Sequence, residues 1–132
     1  MEKEAVFKKL RFGLERESLI VNAPNEFLRM LEGVDFDSSL KDSTMGHYGY
    51  IQVFASSRAE MEDMLKKVEK AGKYDCILWA CYPKGSGKLK YDLKRETVWD
   101  ALAWIGLRPV SQVAIDEKWS ALRGRLPELV GK

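Results

Sequence analysis

The sequence predicts one α/β domain over residues 1–132, a small three-layer sandwich with helices on both faces of a mainly parallel sheet. Three observations support this prediction. The length of 132 residues is that of a single ordinary domain. Short apolar segments alternate with segments of helical periodicity, which is the pattern of strand–helix–strand crossovers. Residues 75–82 are almost continuously apolar, as expected for a central strand that helices cover on both faces.

The first part of the chain is predicted to contain a lead-in helix at 3–12 and one strand–turn–helix unit. A short apolar strand at 19–21 is followed by the turn at 22–25, and the next helix ends at Gly33. Residues 33–47 then form a long polar loop without periodicity. Such a loop is longer than most connections in a compact domain, and we interpret it as a mobile segment or a lid.

The rest of the chain is predicted to contain two strand–helix units, a last strand and a return. Ser57 and Glu60 have the spacing of a capping box, which predicts a helix start. Asp92 is placed to cap the following helix. The predicted elements are a strand at 48–55, a helix from Ser57 to Gly72, a strand at 75–82, a helix from Asp92 to Gly106, a strand at 109–116, and a segment at 119–123 that can return antiparallel to it.

Composition and charge exclude several classes of function. The net charge of +2 is far from the basic surplus of nucleic-acid-binding domains, so we expect no nucleic-acid partner. The amino terminus does not resemble a secretory signal, and the longest apolar run, 76–83, is far shorter than the ~20 residues that span a bilayer. We therefore expect a cytoplasmic protein without membrane contact. One histidine and two cysteines offer no structural metal site, and the oligomeric state is not predicted.

The candidate site is the carboxyl edge of the sheet, because ligands of open parallel sheets bind beyond the carboxyl ends of the strands. A glycine- and lysine-rich turn lies there, and its backbone N–H groups and lysines can face an anion. The Walker pattern is not met, since Tyr82 and Leu89 stand where it requires glycine and Ser or Thr. We interpret the turn as a weak anion site or as a plain solvated turn. Its candidate residues are Lys84, Gly85, Ser86, Gly87 and Lys88.

The first strand–helix turn argues against a dinucleotide or adenosyl cofactor bound in the usual mode. That mode needs glycines, whereas this turn is Asn22-Ala23-Pro24-Asn25 and its proline lacks an N–H. We therefore expect no cofactor. Asn22 is a candidate ligand-binding residue or, in the structural interpretation, a cap of the turn that follows.

Two pairs of reactive side chains are weak candidates for catalysis. Cys81 and His47 form a nucleophile–base pair only if the fold brings them together, and a buried inert cysteine is the simpler interpretation. Asp116 and Glu117 are adjacent at a strand end, where they point to opposite faces. We expect no catalytic residue, and we keep Asp116 as a candidate ligand-binding residue.

Trp119 is predicted at the same edge, and Arg123 follows it on the return segment. An indole at this position can stack on a planar ligand or can pack beneath a neighbouring element. Trp119 and Arg123 complete the set of candidate ligand-binding residues.

Several short motifs together resemble a small bacterial α/β family described only as a domain of unknown function. The motifs are the Asn-Ala-Pro turn at 22–24, residues 79–84, Gly106-Leu107, and residues 116–120 with Leu122 and Arg123. The resemblance runs from about Leu10 to Arg123 and implies no activity. The order of elements is also similar to the C-terminal half of Rossmann-like methyltransferases. The chain departs from them in lacking the glycine-rich turn and in its shorter sheet.

Two hypotheses of function follow. We favour a non-catalytic binding or regulatory domain that recognises a small anionic ligand or a protein partner at the edge formed by Asn22, residues 84–88 and Trp119. The alternative is a reduced methyltransferase-like enzyme that binds an adenosyl cofactor at that edge. In the alternative, an acidic side chain such as Asp116 contacts the substrate.

Overall fold

The computed structural model describes residues 3–13, 17–40, 45–84 and 93–130, in which five strands form one sheet. Helices are named α and strands β in chain order. The elements are α1 (Lys3–Leu10), β1 (Ser18–Val21), α2 (Asn25–Met30), β2 (Tyr48–Phe54), α3 (Arg58–Val68), β3 (Gly72–Pro83), α4 (Arg95–Trp104), β4 (Arg108–Ala114), β5 (Trp119–Arg125) and a 3₁₀ turn (Pro127–Leu129).

The sheet has the strand order β1-β2-β3-β5-β4, and this confirms the predicted fold class. Strands β1, β2 and β3 are parallel, whereas β5 runs antiparallel to both of its neighbours. The return strand therefore lies between β3 and β4, with Trp79 opposite Arg123 on one side and Ser111 opposite Arg123 on the other.

Asp116 explains how the chain reverses between β4 and β5 without a glycine. Its Oδ1 accepts hydrogen bonds from the backbone N–H groups of Lys118 and Trp119, each at 2.8 Å. This is the local side-chain turn that aspartate favours, and it replaces the glycine-containing hairpin turns of the usual types.

Two apolar layers cover the two faces of the sheet. One layer packs α3 and α4 against the sheet through residues such as Met61, Leu65 and Leu102. The other packs α1 and α2 against the opposite face, where Trp79 is 1% exposed. Burying a large apolar side chain contributes roughly 1.5–3 kcal/mol, so these two layers account for most of the stabilisation. No helix in the described ranges is long and apolar enough to cross a bilayer.

The chain passes around the edge of β1 between α2 and β2. Val34 packs on the α1 and α2 face, whereas Leu40 packs on the α3 and α4 face. Between them, Asp37 bridges to Leu19, and its backbone is bonded to Ser18 O at 2.8 Å and to Ile20 N at 2.9 Å. At Asp37, the segment 33–47 is therefore held against the edge of the sheet.

The boundaries of two predicted helices are wrong. Helix α3 ends at Val68, and Gly72 begins β3 instead of ending the helix. Helix α4 begins after Lys94, which is its N-cap residue and makes no side-chain capping bond. Asp92 lies outside the described residues, and the helix start observed at Arg95 leaves it no role as the N-cap.

An irregular bulge of several residues interrupts the pairing at the start of β3. Tyr48 pairs with Gly72 and Tyr50 pairs with Ile77, so the intervening residues of β3 leave the ladder. Asp75 lies in this bulge with a φ of 57°, in the left-handed region. The bulge folds back closely, because a Cβ on Gly72 would overlap the Cys76 sulfur.

Candidate functional site

The carboxyl ends of the strands enclose a crevice because the loops after β1 and β2 lead to opposite faces of the sheet. Helix α2 follows β1 on one face, and α3 follows β2 on the other. Such a divergence is the switch point at which open α/β sheets bind ligands. A cavity of about 330 Å³ lies there, which we call the carboxyl-edge crevice. Its walls are Asn22, Ala23, Pro24, Ser56, Glu60, Pro83, Lys118 and Trp119.

Asn22 forms one wall of the crevice and has a structural task. Its φ is 62°, the left-handed conformation that a glycine would otherwise take. Its Nδ2 donates to the carbonyl oxygen of Phe54 at 2.9 Å and so ties the end of β1 to the end of β2. This side-chain bond of Asn22 thus goes to β2, while the N-cap residue of α2 is Pro24.

The wall next to α3 is held by its predicted capping box. Ser57 Oγ accepts a hydrogen bond from Glu60 N at 3.2 Å, and Glu60 Oε1 accepts one from Ser56 N at 2.8 Å. Each bond satisfies a backbone donor that the helix start leaves free. The Glu60 carboxylate is thereby fixed at the side of the crevice, where it adds a negative charge.

Trp119 forms a buried wall of the crevice. The residue is 7% exposed and packs edge to face on Phe54, with ring centroids 5.3 Å apart. Its indole Nε1 is buried and has no hydrogen-bond partner among the described residues. Lys118 Nζ lies 6.0 Å from the centroid of the same ring. A buried donor without a partner costs free energy, and a ligand acceptor in the crevice would remove that cost.

The crevice brings together some of the predicted site residues. Asn22 and Trp119 line it, and Asp116 forms the turn that leads into Lys118 and Trp119. Lys84 N donates to Lys118 O at 2.9 Å, which places Lys84 at the same edge. Gly85, Ser86, Gly87 and Lys88 lie outside the described residues.

Arg123 is the predicted site residue that lies elsewhere. It is four residues beyond Trp119 on β5, about 13 Å along a strand, and it faces Trp79 near the middle of the sheet. The sequence placed it at the carboxyl edge because the return was expected to be short, whereas β5 runs on to Arg125.

Glu60 and Lys118 line the crevice but were missed in the sequence. Glu60 was treated only as half of a capping box, and Lys118 only as part of a turn. Their positions in the sequence could have identified them, because Glu60 lies shortly after the end of β2 and Lys118 lies in the turn before β5, at the edge where ligands were expected. Their adjacency in space depends on β5 being inserted next to β3, which is not visible in a linear pattern.

The Cys81 and His47 pair considered for catalysis is not brought together by the fold. His47 precedes β2 at its amino end, whereas Cys81 lies opposite Phe54 at the carboxyl end of the strand. Cys81 is fully buried, its Sγ accepts from Gln52 Nε2 at 3.4 Å, and burial raises the pKa of its thiol far above the usual range. Within the described ranges, no group of three or more His, Cys, Asp or Glu side chains is placed to hold a metal ion.

Comparison with known proteins gives a clear result at the level of fold only. No family model matches the sequence, and no curated protein matches it. Solved structures do match. A SAM-dependent methyltransferase from Aquifex aeolicus is 12% identical with a TM-score of 0.63, over 93% of this chain and 88% of that chain.

Two further solved structures are similar in the same way. Magnesium protoporphyrin IX methyltransferase from Synechocystis PCC 6803, solved with bound SAH, is 9% identical with a TM-score of 0.58, over 93% of this chain and 82% of that chain. The [4+2]-cyclase SpnF is 10% identical with a TM-score of 0.62, over 95% of this chain and 80% of that chain. The cyclase shows that similar structures are not all named for methyl transfer. The chain therefore has the Rossmann-like α/β fold of SAM-dependent methyltransferases.

Proposed function

We propose that the carboxyl-edge crevice binds an adenosyl ligand, S-adenosylmethionine first among them, and that the chain is a reduced methyltransferase-like protein. The observation that carries the proposal is the position of the crevice at the point where α2 and α3 diverge from neighbouring strands. The methyltransferase fold of the solved neighbours supports it. This favours the alternative hypothesis from the sequence over a purely non-catalytic domain.

The residues of the crevice fit an adenosyl ligand in three respects. The volume of about 330 Å³ lies at the lower end of the ~300–1,000 Å³ range of small-molecule sites. The indole N–H of Trp119, which has no partner among the residues that the structure describes, would donate to an acceptor of the purine or ribose. Glu60 would accept from ribose hydroxyls, and Lys118 would pair with a ligand carboxylate.

The first turn binds such a ligand with fewer backbone donors than a glycine-rich turn. Pro24 has no N–H to offer, although Asn22 adopts the left-handed conformation of a glycine. S-adenosylmethionine, when bound, supplies an electrophilic methyl group. The chain would position that ligand and exclude water from it. Asp116 would not act on the substrate, because its Oδ1 accepts the two N–H bonds of the β4–β5 turn.

A small anionic ligand is a second candidate, and one contact favours it. The backbone bond from Lys84 N to Lys118 O brings two exposed lysines to the same edge of the crevice. Two ammonium groups at one edge attract phosphate or carboxylate groups. This is the binding hypothesis that the sequence favoured, with Lys118 added to it.

Isothermal titration calorimetry tests the first proposal with S-adenosylmethionine, S-adenosylhomocysteine and adenosine. We expect binding by the wild type and a roughly 5- to 10-fold weaker Kd in Trp119→Phe, which keeps the aromatic packing but removes the N–H donor. Trp99→Phe is the matched control because Trp99 is 46% exposed on α4, outside the crevice. It should leave the Kd unchanged.

The outcomes separate the two candidates. An absence of heat with all three adenosyl compounds contradicts the proposed function. Heat with phosphate or pyrophosphate alone, lost in Lys118→Gln and kept in Trp119→Phe, supports the anionic ligand in its place.

A further inference from the structure

A buried guanidinium on β5 has no place in the crevice. Arg123 is 7% exposed, and its Nε is buried without a hydrogen-bond partner among the described residues. A buried charge is normally paired, since an unpaired one costs several kcal/mol on the general scale. Buried polar groups without a partner call for an explanation, and an absent ion or ligand is one of the few available.

The surroundings of Arg123 are rich in positive charge. It faces Trp79, whose indole N–H donates to Leu10 O at 2.8 Å, so the end of α1 lies over this part of the sheet. Arg11 follows α1, and Arg125 lies two residues further along β5. Burial first, and then the charges of Arg11 and Arg125, lower the pKa of the Arg123 guanidinium.

Asp75, the carboxylate whose charge raises the pKa of Arg123, is already bonded to another arginine. Asp75 accepts from Arg125 Nε at 2.9 Å and from Arg125 Nη2 at 3.0 Å, a forked pair that uses both carboxylate oxygens. We call Arg11, Arg123 and Arg125 the arginine cluster. With Asp75 included, the four side chains carry three positive charges and one negative charge.

We propose that the arginine cluster is a second binding site, in which Arg123 binds a phosphate group beside Trp79 of β3. The site lies about 13 Å from Trp119 along β5 and is independent of the proposed crevice function. A phosphate group carries about −1.5 to −2 charges at neutral pH and three acceptor oxygens, which suits a site at which more than one guanidinium acts on Arg123. The planar guanidinium forms two parallel bonds to such an oxyanion.

The test is thermal unfolding of the full chain with inorganic phosphate or glycerol 3-phosphate, against sodium chloride of equal ionic strength. Phosphate at about ten times its Kd is expected to raise the Tm of the wild type by about 5 °C, and Arg123→Met is expected to abolish that shift. In phosphate-free buffer, Arg123→Met should have a Tm about 3 °C or more above the wild type, because it removes a buried Nε donor that has no partner among the described residues. A larger response to glycerol 3-phosphate than to phosphate would identify a phosphorylated small molecule as the source.

Three controls keep the proposal falsifiable. Arg29→Met removes an equal charge from the exposed surface of α2 and should leave the phosphate shift intact. Arg123→Lys keeps the charge but lacks the planar fork, so less than half of the shift should remain even if the methionine variant does not fold. The NMR signal of the Arg123 Nε–H should move when phosphate is added.

Several results would overturn the proposal of a phosphate site at Arg123. One is a Tm of Arg123→Met well below that of the wild type, which would show that the guanidinium has a structural partner. Others are an equal shift with sodium chloride, or a phosphate shift that survives in both Arg123 variants. Loss of the phosphate shift in Lys118→Gln alone would assign the anion to the carboxyl-edge crevice.

Discussion

The two ends of the sheet satisfy their polar groups in different ways. At the carboxyl end, the bonds of Ser57, Glu60 and Asp116 join residues two to four positions apart. At the amino end, the forked pair joins Asp75 to Arg125 across fifty residues. Short loops can satisfy their own donors, whereas a bulge at the start of a central strand depends on a strand that arrives much later in the chain. These local bonds of the carboxyl end can therefore be predicted from the sequence, whereas the long-range ion pair of the amino end cannot.

The largest expected effect tests whether the carboxyl end is part of the core. Trp119→Ala should lower the free energy of unfolding by about 3–5 kcal/mol, because the indole is buried against Phe54. Trp99→Ala is the control on the exposed face of α4 and should cost under about 1 kcal/mol. Urea denaturation measures both variants. Equal costs would mean that Trp119 is a surface residue and that the crevice lacks its deep wall.

The next effect concerns the bulge at the amino end. Gly72→Ala places a methyl group against the Cys76 sulfur and about 3.1 Å from the Ile51 side chain. We expect a loss of about 1–3 kcal/mol in the free energy of unfolding, the usual cost of overpacking. Lys73→Ala, at the exposed neighbouring position, should change it by less than about 0.5 kcal/mol. A neutral Gly72→Ala in denaturant unfolding would show that the bulge relaxes freely.

A capping variant tests the claim that the carboxyl end is stabilised locally. Ser57→Ala removes the acceptor of the Glu60 N–H and should cost about 1 kcal/mol. Ser111→Ala, on the exposed part of β4, is the matched control and should stay within about 0.5 kcal/mol. Both values come from the same urea denaturation experiment. Equal losses in the two serine variants would remove the capping box as an explanation.

The smallest effect is a pH dependence at the amino end. The hydrogen bonds from Arg125 lower the pKa of the Asp75 carboxyl, so its stabilisation is present above the unfolded pKa of about 3.9 and is lost as the pH falls through the folded value. Asp75→Asn keeps a residue that tolerates the left-handed backbone while removing the charge. It should be less stable than the wild type by about 0.5–1 kcal/mol at pH 7, since the pair is partly exposed.

The same variant gives the control for that pH dependence. The difference in unfolding free energy between wild type and Asp75→Asn should shrink below about pH 4, because the carboxyl is protonated first in the unfolded chain and only at lower pH in the folded one. A difference that stays constant down to pH 2 would mean that the ion pair does not contribute.

The sequence predicted most of the elements because their signals are local. The capping box of α3, the apolar run of β3 and the alternation of strands and helices each extend over a few neighbouring residues. The errors arose where the structure overrode a local signal. Gly72 has the usual position of a helix stop, but it serves the close approach to Cys76.

The sequence predicted that the candidate site lies at the carboxyl edge of the sheet, but not which residues line it together. Asn22 and Trp119 were found because they follow predicted strands, and both line the crevice. Glu60 and Lys118 were missed because their roles depend on neighbours far away in the chain. Arg123 was selected for the wrong edge, since the length of β5 decides how far it lies from Trp119.

By itself, the sequence determined the fold class, the order of strands and helices and the edge at which to search, because apolar periodicity and turn chemistry act between neighbours. Only the tertiary structure decided that β5 lies between β3 and β4, that α2 and α3 cover opposite faces, and that the Nε of Arg123 is buried with no partner among the described residues. Those facts depend on packing between residues distant in the chain, whose free energies no local pattern records.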